Sequence, residues 1–138
     1  MTELVERDLK AVAEPIGPVE VRIPPDPSLS QVLRLAASGM ATLAGFTVDE
    51  IEKIKVAVSE VLIALIEHGG GAPIDVHLEV DGHLFNVRAR TAVAEFDPEH
   101  PDLHLSWTVL ADVADEHGIA VVESEALIWA AVADPTVG

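Results

Sequence analysis

The sequence predicts an α/β two-layer sandwich, a mostly antiparallel sheet covered on one face by three helices. Two observations carry this. Apolar residues alternate with polar ones at Val19–Ile23, Ile74–Val80, Phe85–Ala89 and again near the end of the chain. Between these stretches, from Leu29 to Ile66 and from Leu103 to Ala114, they recur at helical spacing. The Asp81-Gly82 pair between two alternating runs is a tight-turn signal that makes those strands antiparallel neighbours. The order is strand, two helices, two strands, helix, two strands, which buries one face of the sheet beneath the helices.

Residues 1–17 have a weak helical pattern that stops at Glu14-Pro15, and Gly17-Pro18 marks a boundary, so a loosely held arm is expected there. Residues 18–138 then form the domain. Its first strand, around Val21, is expected to be half buried and ends at Pro24-Pro25. The first helix is expected to start near Ser28, whose hydroxyl, with Gln31 three residues on, can satisfy free backbone N–H groups. Leu29, Val32, Leu33, Ala36, Met40 and Leu43 are its expected apolar face, and Gly45 is its expected left-handed stop.

The second helix start is better specified. Thr47 and Glu50 read as a capping box, and Phe46 and Ile51 as the flanking hydrophobic staple. Ile51, Ile54, Val58, Leu62, Leu65 and Ile66 continue at helical spacing to His68, where Gly69-Gly70-Gly71 ends the helix. Ala92 to Asp102 carries acids and prolines without a period and reads as a loop. Leu103, Trp107, Leu110 and Ala114 mark a third helix closed by Gly118, and strands follow near Ile119–Glu123 and Ala126–Ala133.

Composition narrows the function. The chain has 138 residues, 49% of them hydrophobic, which suits one globular domain. It contains no cysteine, so disulfides, thiolate metal sites and a cysteine nucleophile are excluded. The N-terminal stretch is unlike a signal peptide, and a cytoplasmic location is the expectation. Formal net charge is −16, and after Arg90 ten Asp and Glu occur without a single Lys or Arg. Such a surface opposes direct binding of nucleic acid or of an anionic membrane. It serves solubility, or it attracts a basic protein partner.

The segment from Ser28 to Gly69, with its capped second helix ending in SEVLIALIEHG, resembles the anti-sigma regulatory factors of bacteria. These are serine-protein kinases within the superfamily of gyrase, heat-shock-chaperone and histidine-kinase ATPase domains. The resemblance extends through the element order from Val19 to Ala133. In active relatives the helix reads Glu-x-x-x-Asn-x-x-x-His-Gly, the Glu serving as general base and the Asn helping to hold Mg²⁺ on the nucleotide. Glu60, His68 and Gly69 match, whereas position 64 is Ala64, which has no oxygen for a hard cation.

The family's Asp-x-Gly-x-Gly motif falls on Thr91, Val93 and Glu95, and its glycine-rich lid turn falls near His100 to Ser106. The resemblance therefore implies impaired or lost ATP binding, with Glu60 a vestigial catalytic residue and Glu60, Ala64, His68 and Thr91 at the nucleotide-equivalent positions. No cofactor is expected. Mg-ATP is the expected cofactor of the alternative, an active serine kinase with a rebuilt pocket.

Arg34 aligns with a first-helix arginine that contacts partners in this family. The resemblance implies a sigma factor, an antagonist protein or both as partners, and a possible homodimer. An assembly or antagonist subunit outside transcription is the third reading. His100 and His104 are four residues apart, but Pro101 intervenes and no third ligand accompanies them, so no metal site is expected.

Overall fold

Five strands and three helices are present in the computed structural model, which describes residues 15–134. Of the arm expected at residues 1–17, residues 1–14 lie outside the described residues. In chain order the elements are β1 (Ile16–Ile23), α1 (Ser30–Leu43), α2 (Val48–His68), β2 (Ile74–Asp81), β3 (Leu84–Ala92), α3 (His104–Val113), β4 (Glu116–Val122) and β5 (Glu125–Ala133), with short 3-10 turns at Pro27–Leu29 and Pro101–Leu103. The sheet order is β1-β2-β3-β5-β4, and every neighbouring pair is antiparallel. The expected two-layer sandwich is observed.

Alternation decides which face is covered. Ile74, Val76, Leu78 and Val80 of β2, Phe85, Val87 and Ala89 of β3, and Ala126, Ile128 and Ala130 of β5 are buried on one side. There they meet Ile54, Val58, Val61, Leu62 and Leu65 of α2 in one continuous core. Residues at the intervening positions form the open face.

The caps explain where the helices begin. Thr47 is the N-cap of α2 and accepts from the Glu50 N–H at 3.3 Å, while the Thr47 hydroxyl and the Glu50 carboxylate are hydrogen-bonded. The N-cap half of the expected capping box is therefore present, while the Glu50 carboxylate accepts from the Thr47 hydroxyl rather than from its backbone N–H. At α1 the expected start is corrected. Asp26, not Ser28, caps the entry, accepting from the Ser28 N–H at 3.0 Å and its hydroxyl at 2.8 Å, and a 3-10 turn beginning at Pro27 precedes the α-helix proper at Ser30. Proline fits the first position of such a turn because the N–H it lacks would be unpaired there.

Three further expectations are corrected. β1 begins at Ile16, so Gly17-Pro18 lies inside the strand, where its pairing with β2 is irregular between Ile16 and Val19. The strand is also less covered than expected. It is an edge strand, and Val19 and Val21 remain 39% and 38% exposed. Finally, Gly118 does not close a helix. α3 ends at Val113, and Gly118 lies in β4 directly beneath the Trp129 ring, which a Cβ at that position would overlap.

Candidate functional site

The face of α2 singled out by the motif ends against a loop of the same chain. Glu60, Ala64 and His68 follow one another at four-residue spacing and so share one side of the helix. Ala64 is buried at 1% exposure, while Glu60 and His68 are half-buried. The Glu60 carboxylate makes no hydrogen bond or ion pair among the described residues.

Gly69 follows His68 as the C-cap and is buried against β3. A Cβ here would overlap the Leu65 carbonyl oxygen and stand 3.1 Å from Cγ2 of Thr91, so only glycine permits this approach. Thr91, the next-to-last residue of β3, is 3% exposed. Its hydroxyl donates to the Pro73 carbonyl at 2.9 Å, with the Ala72 carbonyl at 3.3 Å, tying the α2–β2 connection to β3. That proton is committed within the protein, and the side chain works as a buttress.

The segment after β3 folds back over this end of α2. Val93 donates its N–H to the Ser124 carbonyl at 2.8 Å and is itself buried, and Phe96 packs on the core. Trp107 Nε1 of α3 donates to the Pro98 carbonyl at 2.8 Å, and Asp97 accepts from the Glu99 N–H at 3.0 Å. His100 accepts on Nδ1 from the Asp102 N–H at 3.1 Å, so it caps the turn into α3. Its ring lies 5.1 Å, centroid to centroid, from that of His68. Glu95, the remaining position of the second motif, is exposed. His104 is exposed at the start of α3, and among the described residues no group of three or more potential ligands is gathered for a metal.

Arg34 lies elsewhere, on α1. Expected on the solvent side, it is instead half-buried. Nη1 donates to Gln31 Oε1 at 3.2 Å, and Nε is buried without a hydrogen-bond partner. The apolar face expected for this helix is corrected too. Leu33, Ala37, Met40 and Ala41 face the core, whereas Val32 is 57% and Leu43 79% exposed. Leu35, at 63%, and Val48, at 75%, extend the exposed apolar set. Val32, Leu35, Gly39 and Leu43 recur three or four residues apart and so form one outward stripe. The sequence reading missed it because Val32 and Leu43 look like core residues, although the Val32/Leu35 pair beside Leu33 was a signal that the helix has apolar residues on two sides.

Serine-protein kinase RsbW of Bacillus subtilis is 31% identical to this chain over 91 residues, 62% of this chain and 57% of the relative. Over these residues the chain is similar to the RsbW kinases. RsbW of Bacillus velezensis is 32% identical over an equal span, and RsbW of Bacillus licheniformis is 29% identical over 101 residues, 73% of this chain and 62% of the relative. The chain thus spans about six tenths of the length of these curated RsbW relatives.

Among solved structures, the RsbU and RsbW domains of a Mycobacterium tuberculosis protein superpose with a TM-score of 0.67 over 86% of this chain and 32% of that one, at 13% identity. A chain of the SiaB–SiaC complex of Pseudomonas aeruginosa superposes with a TM-score of 0.64 over 95% of this chain and 97% of that one, also at 13% identity. These structures share the RsbW-type fold. No family model matches the chain. Among the described residues no helix is long and apolar enough to cross a membrane.

Proposed function

We propose that this RsbW homologue regulates transcription by binding proteins, a sigma factor or the antagonist that competes for it, and that it no longer binds ATP or transfers phosphate. The observation that carries the binding half is the outward stripe of α1. Val32, Leu35 and Leu43 set exposed aliphatic area on one outward side of α1, and Val48 adds to it at the start of α2. A free helix face gains nothing from such residues, whereas a partner helix would bury them. Arg34, half-buried on another side of α1, makes one hydrogen bond, to Gln31, and has further guanidinium N–H groups that a partner carboxylate can meet.

Two features support the loss of nucleotide chemistry. Ala64 offers no metal ligand, and the loop carrying Val93, Phe96 and His100 is held against the end of α2, where the resemblance would seat a nucleotide. Phosphoryl transfer depends on a metal and on positioned donors, which Glu60 alone does not replace. Protein recognition needs shape and complementary charge instead.

The direct test is calorimetric titration with sigma factors and antagonist proteins purified from the same organism. Wild type should bind at least one of them, and Arg34→Glu and Leu35→Asp should each weaken that complex about tenfold or more. Their melting temperatures should stay close to wild type, since both side chains are outside the core. Equal binding by all three proteins would remove α1 from the interface.

A further inference from the structure

The open face of the sheet carries a feature that neither α1 nor the motif helix accounts for. In a chain of net charge −16, three of the five arginines, Arg22, Arg88 and Arg90, converge on one concavity of about 590 Å³ floored by Leu127. Register explains the convergence. Arg22 of β1 lies opposite Asp75 of β2, which lies opposite Arg90 of β3, which lies opposite Leu127 of β5. In the next row His77 lies opposite Arg88, which lies opposite Trp129.

Ordinary cross-strand pairing does not use up these cations. Among the described residues, Asp75 is the only carboxylate that engages them. It accepts from Arg22 Nε at 2.8 Å and Nη2 at 3.3 Å, and stands 3.8 Å from Arg90 Nε. The paired Arg22 guanidinium holds the Asp75 carboxyl below the usual carboxylate range. Arg88 makes no ion pair or hydrogen bond among the described residues, and the remaining donors of Arg90, 60% exposed, are open. Trp129 is fixed over Gly118 and borders Arg88. Exposed arginine beside a rigid aromatic is the composition of an interface centre.

We propose that this open face is a second docking surface, for an extended acidic segment of a partner protein whose alternate carboxylates are read by Arg88 and Arg90. The spacing argues for an extended chain. Arg88 and Arg90 are two residues apart on one strand, about 6.8 Å, which is also the repeat of same-side side chains in an extended peptide. Each guanidinium can hold one carboxylate in a forked pair, while the methylene stems of the bound acids lie on Leu127.

The test is an NMR titration of the full chain at low salt with acetyl-(Glu-Thr)4-amide, with acetyl-(Gln-Thr)4-amide and inorganic phosphate as separate arms. Expected are amide shifts centred on Arg88, Arg90 and Leu127 with the acidic peptide and none with the Gln peptide. Binding should weaken about tenfold or more in Arg88→Gln/Arg90→Gln and stay unchanged in Arg34→Glu. The single Arg88→Gln variant, whose side chain contacts no partner, should lose part of the affinity while keeping the native spectrum. Absence of shifts at millimolar acidic peptide, equal affinity in the double variant, or equal shifts with phosphate alone would overturn the proposal. Failure here leaves the α1 reading intact, because Arg34 belongs to the other layer of the fold.

Discussion

Thr91 shows how one position can keep a motif's place while serving structure. Its register on β3 follows from the alternation of Phe85, Val87 and Ala89, so its position at the end of the strand was legible. Its bond to the Pro73 carbonyl was not, because that partner is 18 residues away and is brought near only by the turn after Gly69. Thr91→Val preserves the shape and removes the donor, leaving a buried carbonyl short of a partner. A loss of about 1–3 kcal/mol is expected by urea denaturation. A variant as stable as wild type would mean that the hydroxyl is incidental. Arg34 is half-buried, and at three and seven residues from buried Ala37 and Ala41 it shares their side of α1.

At the scale of elements, local signals placed both ends of α2, at the Thr47 cap and at Gly69. Thr47 and Glu50 act within one turn of chain, and Thr47 is the N-cap that the sequence predicts. Thr47→Ala should cost about 1 kcal/mol, read as a lowered melting temperature with an unchanged fold by circular dichroism. An unaltered melt would show that tertiary packing, not the cap, holds the start of α2. The β4 boundary was misread because glycine is an ordinary helix stop, and only the long-range seat beneath Trp129 reveals why Gly118 is glycine.

Asp26, the cap that the sequence reading assigned to Ser28, supplies a pH-dependent test. Hydrogen bonds from Ser28, first from its backbone N–H, hold its carboxyl below the usual value. A carboxylate lowered in this way contributes stability above its unfolded pKa, about 3.9, and loses it as the pH falls through the folded value. Asp26→Asn should therefore melt below wild type at pH 7, with the gap closing below about pH 4. A gap that stays constant with pH would deny the carboxylate this role.

For the whole molecule, the two-layer sandwich was legible because three kinds of signal agreed: period, turn chemistry and element order. The exposed stripe on α1 and the arginine face of the sheet were not, since both depend on which apolar or charged positions the second layer leaves uncovered. Together they give the molecule two differently built surfaces, one apolar on α1 and one rich in arginine on the sheet. The proposed function requires a domain that recognises proteins and leaves nucleotide alone.

Thermal unfolding across a titration of Mg-ATP tests that claim most directly. A ligand present at 100 times its dissociation constant stabilises the folded state by about 2.7 kcal/mol, several degrees in a domain of this size. The account predicts a melting temperature that does not move up to millimolar Mg-ATP. A rise that grows with Mg-ATP concentration, and that Glu60→Gln or Ala64→Asn alters, would contradict it.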